Sequence, residues 1–252
     1  MDRDGAGSGG DDGASVEEVT GADMTFQPLT SRFSEALLLA ADLHRHQARK
    51  GVPIPYLSHL LGVASIALEF GADEDEAIAA LLHDAIEDAP AQLGPERTIV
   101  VRRLIEMKFG PSVLDIVEAC TDADVQPKPK WTKRKEDYIA SVSHKSASAV
   151  LVASADKVHN ARAVLRDFRT QGKALWSRFN VEAGEAGTLG FYRGIADALC
   201  RRASALSDAR LIPIVDELDD VVTRLEKEVG FSGVWPPARN SANDGGVSDE
   251  RR

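Results

Sequence analysis

Three observations predict an all-α fold. Apolar residues recur at helical spacing through almost all of residues 26–235. Turn-forming residues fall between those stretches, at Gly51–Pro55, Gly71, Gly94, Gly110 and Pro127–Pro129. No alternating run bracketed by hairpin turn residues is present, and no internal repeat. One stretch is ambiguous at its start, because Val150, Leu151 and Val152 would also suit a strand. The length of 145–169 and the spacing of Val150, Ala153, Val158, Ala161 and Leu165 favour a helix there.

Residues 1–25 are rich in Gly, Asp and Ser and poor in apolar side chains, so they are expected to be a disordered acidic tail. Ser31 can cap a helix reaching about Arg49, with Phe33, Leu37, Leu38, Ala41 and Leu43 as core positions. Gly51, Pro53 and Pro55 then force a loop. A helix from about Ser58 to Phe70 stops at Gly71. Asp73 caps the next helix, which carries AALLHDAIED (79–88) and is bounded by Pro90 and Gly94. Further helices are expected at 96–109, 111–122, 131–143, 145–169, 186–206 and 211–228. Residues 236–252 resemble the first tail in composition. The expectation is one helical bundle over 26–235 with additional C-terminal helices.

Formal charge is −10 over 252 residues, but residues 1–25 hold seven acids against one arginine, which leaves about −4 for the rest. No strongly basic segment offers the positive face that nucleic-acid binding requires. No apolar run approaches membrane-spanning length, and the N-terminus lacks a secretory pattern. Cys120 and Cys200 lie far apart without a partner motif. A soluble, reduced, cytoplasmic protein is the expectation.

Chemistry concentrates in AALLHDAIED. On one continuous helix His83 would lie over Glu87, and Asp84 over both Glu87 and Asp88. Four ionisable groups behind an apolar run need compensation, and a divalent cation would supply it. A solvated acidic helix end would account for the same residues. His59, in PYLSHL, reads alone as a cap or surface residue. Asp156 ends the apolar stretch VLVASA, and a buried lone carboxylate there must be paired or neutralised.

The succession QARKGVPIPYLSH, AALLHDAIED, WTKRKEDY and SADKVHNAR resembles the hydrolase domain of the RelA/SpoT family, an HD-type metal phosphohydrolase, over about Phe33 to Arg166. The resemblance implies a metal, manganese, on His59, His83, Asp84 and Asp156, although these ligand types alone would also admit Fe²⁺, Co²⁺ or Zn²⁺. It implies catalytic carboxylates at Glu87 and Asp88, where an acid beside a cation's water can take its proton. The alternative is that these two acids partner N–H groups or lysines at a helix end. By the same resemblance Arg49, Lys50 and Asn160 belong to the nucleoside pocket. Lys133, Arg134 and Lys135 would meet the pyrophosphate, with a solvated helix face as the alternative. The family pattern RKSGxPYxxH is longer here by one residue, RKGVPIPYLSH, which leaves the register of Arg49 and Lys50 open. Trp131 and Tyr138 read as core or wall, and Trp176, Phe179, Phe191 and Tyr192 as packing of a helical subdomain, with cover of the active site as the alternative.

The implied reaction removes the 3′-pyrophosphate of guanosine tetra- or pentaphosphate, with a small guanine nucleotide as the binding partner. Only 86 residues follow Arg166, so a stand-alone hydrolase without a synthetase domain is expected. Two alternatives stay open. One is action on another nucleotide such as NADPH. The other is an antitoxin-like role as partner of an alarmone synthetase.

Overall fold

The computed structural model describes residues 28–94, 97–123 and 127–233. Both expected tails, with Phe26 and Trp235, lie outside these residues. Helices are α1 (Ser31–Leu43), α2 (Leu57–Glu69), α3 (Glu74–Leu82), α4 (Ala85–Leu93), α5 (Arg97–Phe109), α6 (Pro111–Cys120), α7 (Trp131–Ser141), α8 (Ala147–Gln171), α9 (Gly184–Ser204) and α10 (Leu211–Val229). Short 3₁₀ turns cover Val142–His144 and Gly172–Arg178. Among the described residues there is no strand, only an isolated antiparallel bridge between Ala48 and Pro55. None of the described helices is long and apolar enough to cross a membrane.

Helix α8 is the axis of the molecule. Every residue from Ala149 to Asp156 is buried, because α2, α3, α6, α9 and α10 pack around it. The Ser146 side chain accepts from Ala149 N–H at its start, meeting one of the donors a helix leaves unpaired. Helix α10 closes the far side with Leu211, Ile214, Val215, Leu218, Val221, Val222 and Leu225 on one stripe. It stops at Gly230, whose φ of +78° suits a residue without Cβ, and the N–H groups of Gly230 and Phe231 both reach Glu226 O.

Helix α3 is apolar and buried from Ala77 to Leu82 and starts in a capping box between Asp73 and Glu76. Glu76 is itself buried and accepts from Arg210 at 2.7 and 3.1 Å, tying α3 to the entry of α10.

Four expectations require correction. The first helix is capped by Thr30, with Ser31 as its first residue, and it ends at Leu43 rather than near Arg49. The chain turns there because the buried ring of His44 bonds to Gln47, while Tyr56 N–H and Arg49 N–H reach Gln47 O and Ile54 O. Leu38 is 67% exposed; Ala36 and Ala40 form the inward contacts of α1 instead. Pro90 lies within α4, which continues to Leu93. The stretch 73–93 is not one helix, since α3 ends at Leu82 and α4 begins at Ala85. The His83 Nδ1–H donates to Ala80 O at 2.8 Å, occupying the carbonyl that a continuing helix would offer to Asp84 N–H. Asp88 N–H to Asp84 O, at 2.9 Å, restarts the ladder. The VLV stretch is helical, as its longer spacing requires.

Candidate metal centre and adjoining cavity

Three elements bring four side chains to one point. Helix α2 carries His59, the break between α3 and α4 carries His83 and Asp84, and α8 carries Asp156. His59 is 1% exposed, His83 2% and Asp156 7%. His59 Nε2 lies 3.4 Å from Asp84 Oδ2 and 3.3 Å from Asp156 Oδ1. His83 Nε2 lies 3.1 and 3.6 Å from the same two oxygens. Ligand atoms of His59, His83 and Asp156 all fall within 4.8 Å of one another. His83 Nε2 is buried without a hydrogen-bond partner, although two carboxylates stand beside it. A buried imidazole nitrogen between two carboxylates suits a divalent cation, and the mixed N/O donor set suits a first-row metal.

The electrostatics of the group are mutual. Burial alone would depress His83, but Asp84 and Asp156 outweigh it and hold the imidazole's pKa well above the ordinary value. Burial would likewise raise the two carboxyls; His83 and His59 hold Asp84 well below the usual range, and Lys157 with His59 and His83 does the same for Asp156. Tyr56 O–H donates to Asp84 Oδ2 at 2.5 Å. Asn160, one turn beyond Asp156, donates to its Oδ1 at 2.5 Å, and Lys157 Nζ pairs with its Oδ2. Arg49 Nη2 donates to Asn160 Oδ1 at 3.1 Å, so Arg49 reaches the centre despite the extra residue in its loop.

The next carboxylates stand in an outer ring. Glu87 accepts from Lys128 Nζ at 2.9 Å and from Asp122 N–H at 3.4 Å. Asp88 accepts from Gln47 Nε2 at 2.7 Å, and Gln47 Oε1 lies 2.6 Å from His44 Nδ1. Burial, Asp84 and Glu87 push the Asp88 carboxyl up to about 6, against the pull of Gln47. Arg134 and Lys135 converge on Asp122 at 2.7 and 2.6 Å. Lys133 does not join them; it is exposed and paired with Asp137 on the same helix.

Two chambers of about 200 and 190 Å³ adjoin at Asn160, Phe179 and Tyr192. The first is walled by Trp131, Phe179, Phe191 and Tyr192, with Lys135 and Lys157. The second carries Arg49, Lys50 and Arg178 against Asp167. Trp131 is thus wall, as its sequence context suggests, and Tyr138 is buried core. Phe179, Phe191 and Tyr192, read first as packing, line the chambers as the alternative reading allowed, while Arg178 was missed from the sequence. The signal was a concentration of aromatics over 176–192 in a chain with 6% aromatic residues. Both cysteines are free thiols.

Comparison with known proteins agrees with this architecture. The HD domain family model matches residues 36–184. The guanosine-3′,5′-bis(diphosphate) 3′-pyrophosphohydrolase MESH1 of Xenopus tropicalis is 38% identical over 151 residues, 59% of this chain and 75% of its own. The human protein of that name is 35% identical over the same shares. The bifunctional (p)ppGpp synthase/hydrolase SpoT of Escherichia coli K12 is 33% identical over 52% of this chain and 18% of its own. Among solved structures, a metazoan ortholog of SpoT that hydrolyses ppGpp superposes with a TM-score of 0.58 at 26% identity, covering 78% of this chain and 97% of its own. The chain belongs to the HD domain family.

Proposed function

We propose that the protein is a divalent-metal-dependent hydrolase that removes the 3′-pyrophosphate from guanosine tetra- or pentaphosphate, giving GDP or GTP and pyrophosphate. The observation that carries this reading is the convergence of His59, His83, Asp84 and Asp156 beside a cavity with one aromatic and one cationic chamber. Those four residues would hold the cation, which we take to be Mn²⁺. When bound, it supplies Lewis acidity toward a phosphoryl oxygen and toward water.

The chain's own residues supply the rest. Asp88, with a carboxyl at about 6, is ionised at neutral pH yet basic enough to accept a proton from attacking water. Gln47 fixes one of its oxygens, leaving the other to act. Glu87, held by Lys128, orients the water rather than moving through the site. The aromatic walls accept a flat purine, while Arg49, Lys50 and Arg178 face the phosphates. Arg134 and Lys135 neutralise Asp122 and keep a positive edge beside Glu87; Lys133 faces solvent, paired with Asp137, and makes no substrate contact.

The relatives named as ppGpp pyrophosphohydrolases support the choice of substrate. The test is incubation with Mn²⁺ and guanosine tetraphosphate, with NADPH in parallel. Release of pyrophosphate from the tetraphosphate is expected. Faster release of inorganic phosphate from NADPH, with none of pyrophosphate, would replace the substrate in this reading.

A further inference from the structure

His59 Nδ1 lies 2.9 Å from His159 Nδ1. Two imidazole nitrogens at that distance share one hydrogen, so one donates and the other accepts. The other ring nitrogen of His59, Nε2, faces Asp84 and Asp156 at 3.4 and 3.3 Å. A nitrogen that gives its lone pair to a cation cannot carry a proton, so the ligating form of His59 has its hydrogen on Nδ1. His159 Nδ1 is then the acceptor, and the hydrogen of that ring sits on Nε2. His83 solves the same problem with the main chain, through Ala80 O.

The His159 ring has a built seat. A Cβ placed on Gly62 would come within 2.4 Å of His159 Cδ2 and 2.5 Å of Nε2. Gly62 lies inside α2, three residues after His59, where glycine is less favourable than alanine. The glycine clears room on α2 for a ring arriving from α8.

We propose that His159 is a positioning residue: seated against Gly62 as a neutral acceptor, it fixes the tautomer and orientation of His59 as a metal ligand. The inference rests on the reading of His59 as a ligand. Partners of this kind behind metal-bound histidines are typically worth about 10–100-fold in metal affinity.

The test titrates purified protein with Mn²⁺ and follows the free ion by electron paramagnetic resonance, with thermal melting in chelator as the fold control. His159→Leu removes the acceptor and should weaken binding about 10–100-fold without a matching fall in melting temperature. His159→Asn places a carbonyl oxygen near the Nδ1 position and should restore most of the loss. Gly62→Ala, which displaces the ring, should fall between the two. Parental affinity in His159→Leu, or an Asn variant as poor as the Leu variant, overturns the proposal. Should His159→Leu fail to fold, parental affinity in Gly62→Ala overturns it instead. His59→Ala separates the two layers: parental affinity there removes His59 from the ligand set, a different failure from that of His159.

Discussion

Asp88 shows how one residue's surroundings set its chemistry. Burial and the nearby Asp84 and Glu87 raise its carboxyl to about 6, above the ordinary value of about 3.9. Between about pH 4 and 6 the folded protein therefore holds a proton at this site that the unfolded chain has released. The contribution of Asp88 to stability falls as pH rises through that window. Asp88→Asn should flatten this part of the melting profile of the metal-free protein, measured as the difference from the parent across pH. As a proton acceptor Asp88 must be ionised, so hydrolysis in the parent should rise with pH through about 6. A parent and variant with parallel melting profiles would contradict the assigned shift. At this scale the sequence was informative where composition was discordant: Asp156 stood out as an acid ending an apolar run. His59 carried no such signal, since its burial depends on α8 and α3 folding back over α2.

The elements were largely legible because apolar period, caps and glycine stops agreed with one another. The exception is the junction of α3 and α4. Apolar spacing ran on through His83, where its side chain competes for Ala80 O at the point the helix ends. That break changes the geometry of the site, because it turns His83 and Asp84 toward α8 and leaves Glu87 and Asp88 on a separate helix. The end of α1 was missed for a similar reason, a local bond between His44 and Gln47 that no periodicity reports. Helix α3 is in turn anchored by Glu76 and Arg210. Arg210→Met would leave the buried Glu76 with its capping bond alone, and we expect a loss of about 1–3 kcal/mol by chemical denaturation. Unchanged stability would show that solvent replaces the arginine.

Across the whole molecule, the C-terminal helices do more than complete a bundle. The residues after the 3₁₀ turn Gly172–Arg178 and α9 bring Phe179, Phe191 and Tyr192 to face Trp131 from α7, and the turn places Arg178 in the adjoining chamber. The sequence motifs picked out the four residues that converge, but left open whether this wall was packing or cover, because cavity lining depends on how α9 packs against α7 and α8. Phe191 sits with its ring centroid 6.2 Å from that of Trp131 and 4.8 Å from Lys135 Nζ. Phe191→Leu keeps apolar bulk but removes a stacking surface worth roughly 1–3 kcal/mol per base. It should raise KM for a purine nucleotide about 5- to 150-fold while changing kcat less, the pattern of lost uniform binding. An equal fall in kcat with unchanged KM would place the purine elsewhere.

We propose that the cluster on α2, α8 and the α3–α4 junction is a metal-dependent hydrolytic centre. Its most direct measurement is pyrophosphate release from guanosine tetraphosphate across a Mn²⁺ titration, for the parent and for a His83→Ala, Asp84→Ala variant. Saturable, metal-dependent release by the parent is expected, and none by a folded variant at any Mn²⁺ concentration. Release by the variant at the parental rate, or by the parent in the presence of excess chelator, would contradict it.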